Sequence, residues 1–242
     1  MSLTISVVVP CYNDAAMLER CLDALAMQTR PADEIVVVDN GSTDTTVDVA
    51  RAAGVRVVTE SRRGIPQATS AGFDAAVGDV LGRLDADTIP PADWVARVER
   101  AFTDDSELDA LSGPGRFYGG TAVVRWYAER IHMPMYYRFV AWILGHDVLY
   151  GSNLAIRATA WRVLREHVHR ERADVTDDLD LAINLQPGMG VVRSDARSGG
   201  LCPALRELDQ KRRGRADGAQ HRTRQPPRDV VPRASAGLDR VP

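Results

Sequence analysis

The stretch Glu34-Ile35-Val36-Val37-Val38, followed directly by Asp39-Asn40-Gly41-Ser42, decides the fold class of this chain. A short run of β-branched apolar residues that ends in a polar turn is typical of a strand buried on both faces. A helical pattern follows over Thr43 to Ala53, and Gly54 marks its end. We interpret this segment as a strand–turn–helix unit of an α/β protein.

The same alternation continues on both sides of this unit. The further predicted strands are Ile5–Val9, Val55–Thr59 and Val80–Leu84, and the further predicted helices are Ala15–Met27, Ala68–Val77, Asp93–Phe102, Arg157–His167 and Asp178–Leu185. Alternating strands and helices predict a Rossmann-like, mostly parallel sheet flanked by helices. Residues 113–150 are rich in aromatic side chains, and we predict that they form an irregular region.

Composition narrows the class of protein. The chain has 242 residues, of which 45% are hydrophobic, which is ample for one large hydrophobic core. Its net charge of −3 is uneven: residues 199–242 hold ten of the 30 Lys and Arg residues against five acids. This tail therefore carries +5, and residues 1–198 carry −8. An acidic body argues against nucleic acid as a partner, because phosphate backbones require a basic face.

Cysteine usage and hydropathy indicate the compartment. Cys11, Cys21 and Cys202 form no CxxC or Cys/His cluster, which indicates a reducing environment and no zinc site. No stretch reaches the roughly 18 apolar residues of a membrane span, and the N-terminus has no signal-peptide pattern. We predict a cytoplasmic protein, with peripheral contact at the inner face of the membrane as the alternative.

Polar residues gather after three predicted strands, at Pro10–Asn13, Asp39–Asp44 and Asp85–Asp87. Ligands bind at the carboxyl ends of the strands in sheets of this kind. An extended Asp85-Ala86-Asp87 would place both carboxylates on one side of the chain, as hard oxygen ligands for Mg²⁺ or Mn²⁺. Taken alone, an Asp-x-Asp sequence is more often a solvated turn, and a helix N-cap at Ser42 or Thr43 explains part of the second cluster.

Taken together, the motifs resemble family 2 glycosyltransferases with the GT-A fold. They follow the order of that family: Val8-Val9-Pro10-Cys11-Tyr12-Asn13, Val37-Val38-Asp39-Asn40-Gly41-Ser42-Thr43-Asp44, Arg63-Gly64-Ile65 with Ala71-Gly72, Leu84-Asp85-Ala86-Asp87-Thr88, Gly151-Ser152-Asn153-Leu154-Ala155-Ile156-Arg157, and Thr176-Asp177-Asp178-Leu179-Asp180-Leu181. The resemblance covers residues 5–185 and rests on the whole ordered set, since no single motif is specific.

The resemblance implies a division of the chain and a set of donor contacts. Residues 1–198 would form one GT-A domain, with residues 1–112 binding a nucleotide-sugar donor and residues 113–198 binding a carbohydrate or lipid-linked acceptor. The implied donor-binding residues are Pro10, Tyr12, Asn13, Asp39, Ser42, Asp44, Arg63 and Asp85. Asp87, with Asp85, would hold a divalent metal, Mn²⁺ or Mg²⁺, on the donor diphosphate.

The resemblance also implies the acceptor side and the reaction. Gly151, Ser152 and Asn153 would shape the acceptor site, and Asp178 would be the catalytic base of an inverting transfer, with Asp177 standing where the family usually has Glu. Such a transfer needs a base for the acceptor hydroxyl proton and a cation for the departing diphosphate. Ala68-Thr69-Ser70 departs from the Ala-Arg-Asn common in the family, and the Gln-x-x-Arg-Trp motif of processive synthases is absent.

Several alternatives stay open at the level of sequence. An aromatic set in the middle of the chain could form a sugar-stacking or lipid-facing acceptor wall, or could equally pack in the core: Tyr118, Trp126, Tyr127, Tyr136, Tyr137 and Trp142. Residues 199–242 are predicted to be a disordered basic tail; a lipid-binding arm and a shifted reading frame are the alternatives. An inactive, truncated nucleotide-binding remnant is the alternative function. A dinucleotide-dependent oxidoreductase ranks lower, because no GxGxxG follows the first strand.

Overall fold

The computed structural model describes residues 2–113, 115–145, 148–172, 175–185, 191–194 and 201–203. Strands and helices alternate through the first half of the chain, as the sequence predicts. The elements of this half are β1 Ile5–Cys11, α1 Ala15–Ala26, β2 Glu34–Asp39, α2 Thr46–Ala52, β3 Arg56–Thr59, α3 Ile65–Ala75, β4 Val80–Arg83, α4 Trp94–Asp104 and β5 Leu108–Ser112. The elements that follow are β6 Arg116–Tyr118, α5 Ala122–Tyr127, a π-helical turn Ala128–His132, α6 Met133–Leu144, β7 Leu154–Arg157, α7 Ala158–Leu164, α8 Asp177–Asn184, β8 Val191–Ser194 and β9 Leu201–Pro203.

Seven strands form one sheet in the order β3-β2-β1-β4-β7-β5-β8. β3, β2, β1 and β4 are parallel, β7 runs antiparallel to its neighbours β4 and β5, and β8 is parallel to β5. The register pairs Val8 with Val36 on one side and with Arg83 on the other. The mixed, mostly parallel sheet flanked by helices confirms the predicted fold class.

Both faces of the sheet are buried, which explains the continuous valine runs. Val7 and Val9 point into a cluster with Leu18 and Trp94, whereas Val8 points to the opposite face and packs with Phe73. On that second face α3 lies very close to β1: a Cβ on Gly72 would come 2.3 Å from a methyl carbon of Val8. Glycine is therefore required at this helix–sheet contact.

Residues 113–150 differ from the prediction of an irregular region. α5, the π-helical turn and α6 follow one another over residues 122–144 as one helical segment. Many of its large apolar side chains are exposed, so its apolar residues are not confined to the face that packs against the body. The aromatic-rich composition therefore concealed its helical structure.

Two further points concern the termini and the membrane. Leu201–Pro203, which lies inside the predicted tail, pairs as β9 with β6 in a small two-stranded sheet. The other residues of the predicted tail, 199–200 and 204–242, lie outside the described residues. Within the described ranges, no helix is both long and apolar enough to cross a membrane.

Candidate active site

The carboxyl ends of β1, β2 and β4 meet at one edge of the sheet, because these strands are parallel neighbours. The backbone N–H of Asn40 donates to the carbonyl of Cys11 at 2.9 Å and joins the first two strand ends. β7 runs antiparallel to β4, with Leu154 opposite Arg83, so the residues just before β7 also arrive at this edge. The topology therefore brings Gly151 against the end of β4.

The first group of predicted donor-binding residues lies where β1 and β2 end. The Asp39 carboxylate is buried and accepts from the Ser42 N–H at 2.9 Å, which tightens the turn after β2. Asn13, at a φ of 50°, donates its N–H to Ser42 Oγ and accepts from the Thr43 N–H at 2.7 Å. Pro10 and Tyr12 are half-buried beside them. The structure brings these residues together as one polar surface.

Asp44 holds two helix starts. Its Oδ1 accepts from the N–H of Thr46 at 3.0 Å, and its Oδ2 accepts from the N–H of Ala15 at 3.3 Å. The expected N-cap at Ser42 or Thr43 is wrong: α2 begins at Thr46, and Asp44 binds its first N–H. Burial opposes ionisation here, but the bonds from Thr46 and Ala15 outweigh it and lower the pKa of Asp44.

Asn40 is a residue of this site whose role the motif alone did not reveal. Its amide nitrogen donates to the carbonyls of Glu60 and Arg62 at 2.8 and 2.7 Å, and its Oδ1 accepts from the Gly64 N–H at 2.8 Å. One buried side chain thus fixes the loop after β3. The guanidinium of Arg63, carried by that loop, stacks over the ring of Tyr12.

A second group surrounds a cavity of about 220 Å³ next to this loop. One predicted donor residue (Asp85), two predicted acceptor residues (Gly151 and Ser152) and both predicted catalytic residues (Asp177 and Asp178) line it. The other lining residues lie at the start of α3, on β4 and before β7 and α8: Ile65, Pro66, Arg83, Tyr150, Val175 and Thr176. The cavity therefore unites residues that are up to 113 positions apart in the sequence, from Ile65 to Asp178.

Arg83 is the buried cation of this cavity, and sequence reasoning missed it. Its guanidinium lies 3.0 Å from Asp85 Oδ1 and 3.2 Å from Asp177 Oδ2, while only 2% of its side chain is exposed. Burial alone would lower the pKa of Arg83, but Asp177, Asp85 and further carboxylates outweigh burial and raise it. The signal was available, since Arg83 is a charged residue inside the apolar run Val80–Leu84.

Asp177 and Asp178 occupy the first turn of α8 and have different surroundings. Asp177 is buried and accepts from the Thr69 hydroxyl at 2.7 Å as well as from Arg83. Asp178 accepts from the N–H of Gly151 at 3.0 Å and from the N–H of Leu179 at 2.8 Å. Burial, followed by the charge of Asp177, raises the pKa of Asp178 above its usual range, and Arg83 opposes this.

Thr69 belongs to the tripeptide that departs from the family pattern. Its hydroxyl supports Asp177 from α3, so a polar contact at this position is directed to α8. In the folded chain, the threonine at this position therefore connects α3 with the first turn of α8.

The residues of the predicted acceptor motif before β7 divide into two groups. Gly151 and Ser152 line the cavity, and a Cβ on Gly151 would lie 2.4 Å from Arg83 Nη1. Asn153 points away from the cavity: its Oδ1 accepts from the Trp94 indole N–H at 2.9 Å, and its amide nitrogen donates to the Gly113 carbonyl at 3.0 Å. Asn153 therefore connects the segment before β7 with α4 and with the end of β5.

The Asp85-Ala86-Asp87 segment is a turn, which corrects the expectation of an extended chain. The Thr88 N–H donates to the Asp85 carbonyl at 3.0 Å, and the Tyr118 hydroxyl donates to the Asp87 carbonyl at 3.0 Å. Asp85 lines the cavity with 40% of its side chain exposed, and Asp87 is buried. Desolvation, opposed by Arg83 and reinforced by Asp87, raises the pKa of Asp85 to about 6.

The donor set at Asp85 and Asp87 fits a hard divalent cation. Mg²⁺ and Mn²⁺ prefer oxygen ligands, and Mg²⁺ is commonly held by one or two carboxylates with the remaining positions taken by substrate phosphates and water. Desolvation first, and then the charge of Asp87, raise the pKa of Asp85 despite Arg83, and a bound cation would favour its ionised form. In the part of the chain that the structure describes, no group of three or more His, Cys, Asp or Glu residues forms a complete protein metal cage.

Comparison with known proteins places these features in a family. The model of the family "Glycosyl transferase family 2" matches residues 6–171. Glycosyltransferase AglE of Haloferax volcanii is 32% identical over 133 residues, which are 50% of this chain and 43% of that protein. A PGL/p-HBAD biosynthesis glycosyltransferase of Mycobacterium bovis is 36% identical over 115 residues, 45% of each chain. The chain thus spans less than half the length of these curated relatives.

Solved structures share the fold. The mannosyltransferase PcManGT from Pyrobaculum calidifontis, in complex with GDP-Man and Mn²⁺, aligns with a TM-score of 0.61 and 23% identity over 83% of this chain and 57% of that one. Glucosyl-3-phosphoglycerate synthase from Mycobacterium tuberculosis, in complex with Mn²⁺, UDP and glucosyl-3-phosphoglycerate, aligns with a TM-score of 0.61 and 23% identity over 86% and 75% of the two chains. With the family model covering more than half of the sequence, this chain belongs to glycosyl transferase family 2 and has a GT-A-like fold.

Proposed function

We propose that this protein transfers a sugar from a nucleotide-diphosphate sugar to an acceptor hydroxyl, with inversion and with a divalent cation, Mn²⁺ or Mg²⁺. The observation that carries the proposal is the cavity in which Asp85, Asp177 and Asp178 meet around the buried Arg83. Two kinds of similarity support it. The matching relatives are named as glycosyltransferases, and the two solved structures contain GDP-Man or UDP together with Mn²⁺.

Asp178 is the proposed general base. Its carboxylate takes the proton of the acceptor hydroxyl while that oxygen bonds to the anomeric carbon of the sugar. The bond from the anomeric carbon to the diphosphate oxygen breaks, and the nucleoside diphosphate leaves with the electron pair. The raised pKa of Asp178 makes it a stronger base than an ordinary aspartate, and the Gly151 and Leu179 N–H groups hold its orientation.

Asp177 is the proposed positioning partner of Asp178. It is held by Thr69 from α3 and by Arg83 from β4, so it fixes the first turn of α8 against the sheet. Tyr12, Asn13 and Asp39 would line the nucleotide pocket, with Arg63 covering Tyr12. Asp85 and Asp87 would hold the cation, which supplies positive charge to the departing diphosphate.

Transfer and nucleotide binding, measured separately, test this proposal. The purified chain is assayed with UDP- and GDP-sugars and Mn²⁺, and UDP and GDP binding is followed by calorimetry. Asp178→Asn should abolish transfer while nucleotide binding persists, and Asp87→Ala should weaken metal-dependent binding. Exposed Asp23 on α1 provides the matched control, since Asp23→Asn should leave both unchanged.

Three results would count against the assignments. Undiminished turnover of Asp178→Asn would refute the base, and unchanged Mn²⁺-dependent binding by Asp87→Ala would refute the metal ligand. Nucleotide binding without transfer or donor hydrolysis by the parent chain would favour an inactive remnant over an enzyme.

A further inference from the structure

The helical segment 122–144 exposes a continuous apolar face. Six apolar side chains follow one another at intervals of four residues, and each is 40–74% exposed. We call this set the α5–α6 face: Val123, Tyr127, Ile131, Met135, Phe139 and Ile143. Trp126 and Trp142 flank it, and Trp142 is 80% exposed. Soluble monomers rarely expose contiguous apolar surface of this kind without using it.

The helix geometry limits how far these residues spread around the segment. An interval of four residues drifts around an ordinary α-helix, which has 3.6 residues per turn. The π-helical turn Ala128–His132 lies in the middle of the segment and has wider turns, which reduces this drift. Inward-facing residues of the same segment hold it to the body through a small cluster of Ala128 and Met133 with Phe117.

Basic residues accompany the apolar ones. Arg130 and Arg138, both exposed, line a groove of about 540 Å³ together with Ile131, Met135, Phe139 and Trp142. No acidic residue is among the described residues that line this groove. The acid of the segment, Glu129, is directed inward and accepts from the N–H of Phe117 at 3.0 Å. The face is thus basic and apolar on a body whose residues 1–198 carry −8.

We propose that the α5–α6 face docks onto the surface of an anionic lipid bilayer. An amphipathic helical segment that lies in the plane of the interface buries its apolar side chains at the level of the acyl chains, and its Arg residues contact the anionic head groups. Tryptophan is enriched at membrane–water interfaces, which fits the exposed Trp126 and Trp142 beside this face. The acidic remainder of the body is repelled by the same surface, which selects this orientation.

Charge also distinguishes the bilayer from a second copy of the chain. A symmetric dimer through the α5–α6 face would place the same patch on both sides of the contact, so the arginines of one copy would face a patch that is also basic. Like charges brought together at an interface are unfavourable. The charges of this patch therefore complement an anionic membrane and oppose self-association.

The face is connected to the cavity that holds Asp178. Tyr137 of α6 packs edge-on against Tyr150, with 6.1 Å between ring centroids, and Tyr150 lines that cavity. Burial and the charge of Asp178 raise the pKa of Tyr136, the preceding residue of α6. Docking would bring the cavity close to the bilayer surface; if the proposed function holds, the acceptor hydroxyl is carried by a membrane lipid.

Vesicle flotation tests the docking. The full chain is mixed with vesicles of equal parts phosphatidylcholine and phosphatidylglycerol, or of phosphatidylcholine alone. We expect binding to the anionic vesicles, reduced about tenfold or more by Phe139→Glu with Trp142→Glu and by Arg130→Gln with Arg138→Gln. The matched control is Met27→Glu with Val77→Glu, two side chains that are 77% and 79% exposed elsewhere and should not affect binding.

Tryptophan quenching by brominated lipids gives a second readout on the same samples. Trp94 and Trp161 are buried, so quenching reports on Trp126 and Trp142. We expect brominated lipids to quench the tryptophan fluorescence of the parent chain, and to quench that of Trp142→Phe less. The proposal is overturned if the parent chain does not float with anionic vesicles, or if Phe139→Glu with Trp142→Glu floats equally well, which would assign binding to the basic tail. A dimer by light scattering that this double variant dissociates would also overturn it.

Nucleotide calorimetry on these samples separates the two proposals. Flotation without UDP or GDP binding would leave the docking in place and contradict the proposed function. Nucleotide binding without flotation would contradict the docking and leave the proposed function in place.

Discussion

The guanidinium of Arg83 forms an ion pair with the carboxylate of Asp177, with 3.2 Å between Nη2 and Oδ2, at the floor of the cavity. The same guanidinium pairs with Asp85 at 3.0 Å, so one cation on β4 connects the end of its own strand with the first turn of α8. Its Nε is buried and has no hydrogen-bond partner among the residues that the structure describes. Arg83 therefore keeps the carboxylates of Asp85 and Asp177 together, and its charge is only partly matched by directional contacts.

Replacing Arg83 with Met should destabilise the fold strongly. Met preserves much of the volume, but Asp177 and Asp85 lose their buried counter-ion, a loss that typically costs about 3–5 kcal/mol. Urea unfolding at neutral pH measures this. The control is Arg51→Ala, because the Arg51–Asp48 pair is 71% and 76% exposed and should contribute about 0.5 kcal/mol or less. Equal losses in the two variants would contradict a structural role for the buried pair.

Gly151→Ala should impair transfer more than it impairs folding. The added Cβ would lie 2.4 Å from Arg83 Nη1 and 3.4 Å from Asp178 Oδ2, so the guanidinium must move and the proposed base shifts with it. Overpacking of this kind costs about 1–3 kcal/mol. Gly54→Ala serves as the control: its φ of +70° makes Ala unfavourable, yet nothing lies within 4 Å of the new Cβ. Transfer by Gly151→Ala at the rate of the Gly54→Ala variant would show that the contact does not matter.

Local patterns were sufficient for some features and insufficient for others. The buried strand of Val36 and Val38 and the polar turn at Asp39 follow from short-range composition, and the structure has them where they were predicted. Arg83, in contrast, pairs with Asp177, which is 94 positions away in the sequence. Asn153 bonds to Trp94 because β7 lies antiparallel beside β4. Such pairings depend on the topology, which no local pattern contains.

Asp85→Asn should change how stability depends on pH. The folded chain holds the Asp85 proton more tightly than the unfolded chain, because the pKa is raised from 3.8 to about 6. This contribution to stability is present below about pH 4 and is lost as the pH rises through about 6. Asn does not titrate, so the free energy of unfolding of the variant, relative to the parent, should rise between about pH 4 and about pH 7.

Urea unfolding in the presence of EDTA across this range measures the effect of Asp85 without metal. Asn184→Ala, a substitution without a titrating group, should give a curve parallel to that of the parent. A parallel curve for Asp85→Asn, or a difference that falls with pH, would contradict the raised pKa.

Asn40→Ala should weaken nucleotide binding as well as stability. The substitution leaves the carbonyls of Glu60 and Arg62 and the N–H of Gly64 without their side-chain partner, at a cost of about 2 kcal/mol or more. The loop that carries Arg63 then loses its anchor to the end of β2, and the Arg63–Tyr12 stack becomes less ordered. Asn184→Ala is the matched control, since the hydrogen bonds of the Asn184 amide within the described residues go to Asp180 of its own helix, α8. We expect UDP or GDP affinity, measured by calorimetry at a temperature where both variants are folded, to fall severalfold in Asn40→Ala alone. Equal affinities in the two variants would mean that the loop after β3 does not form part of the nucleotide site.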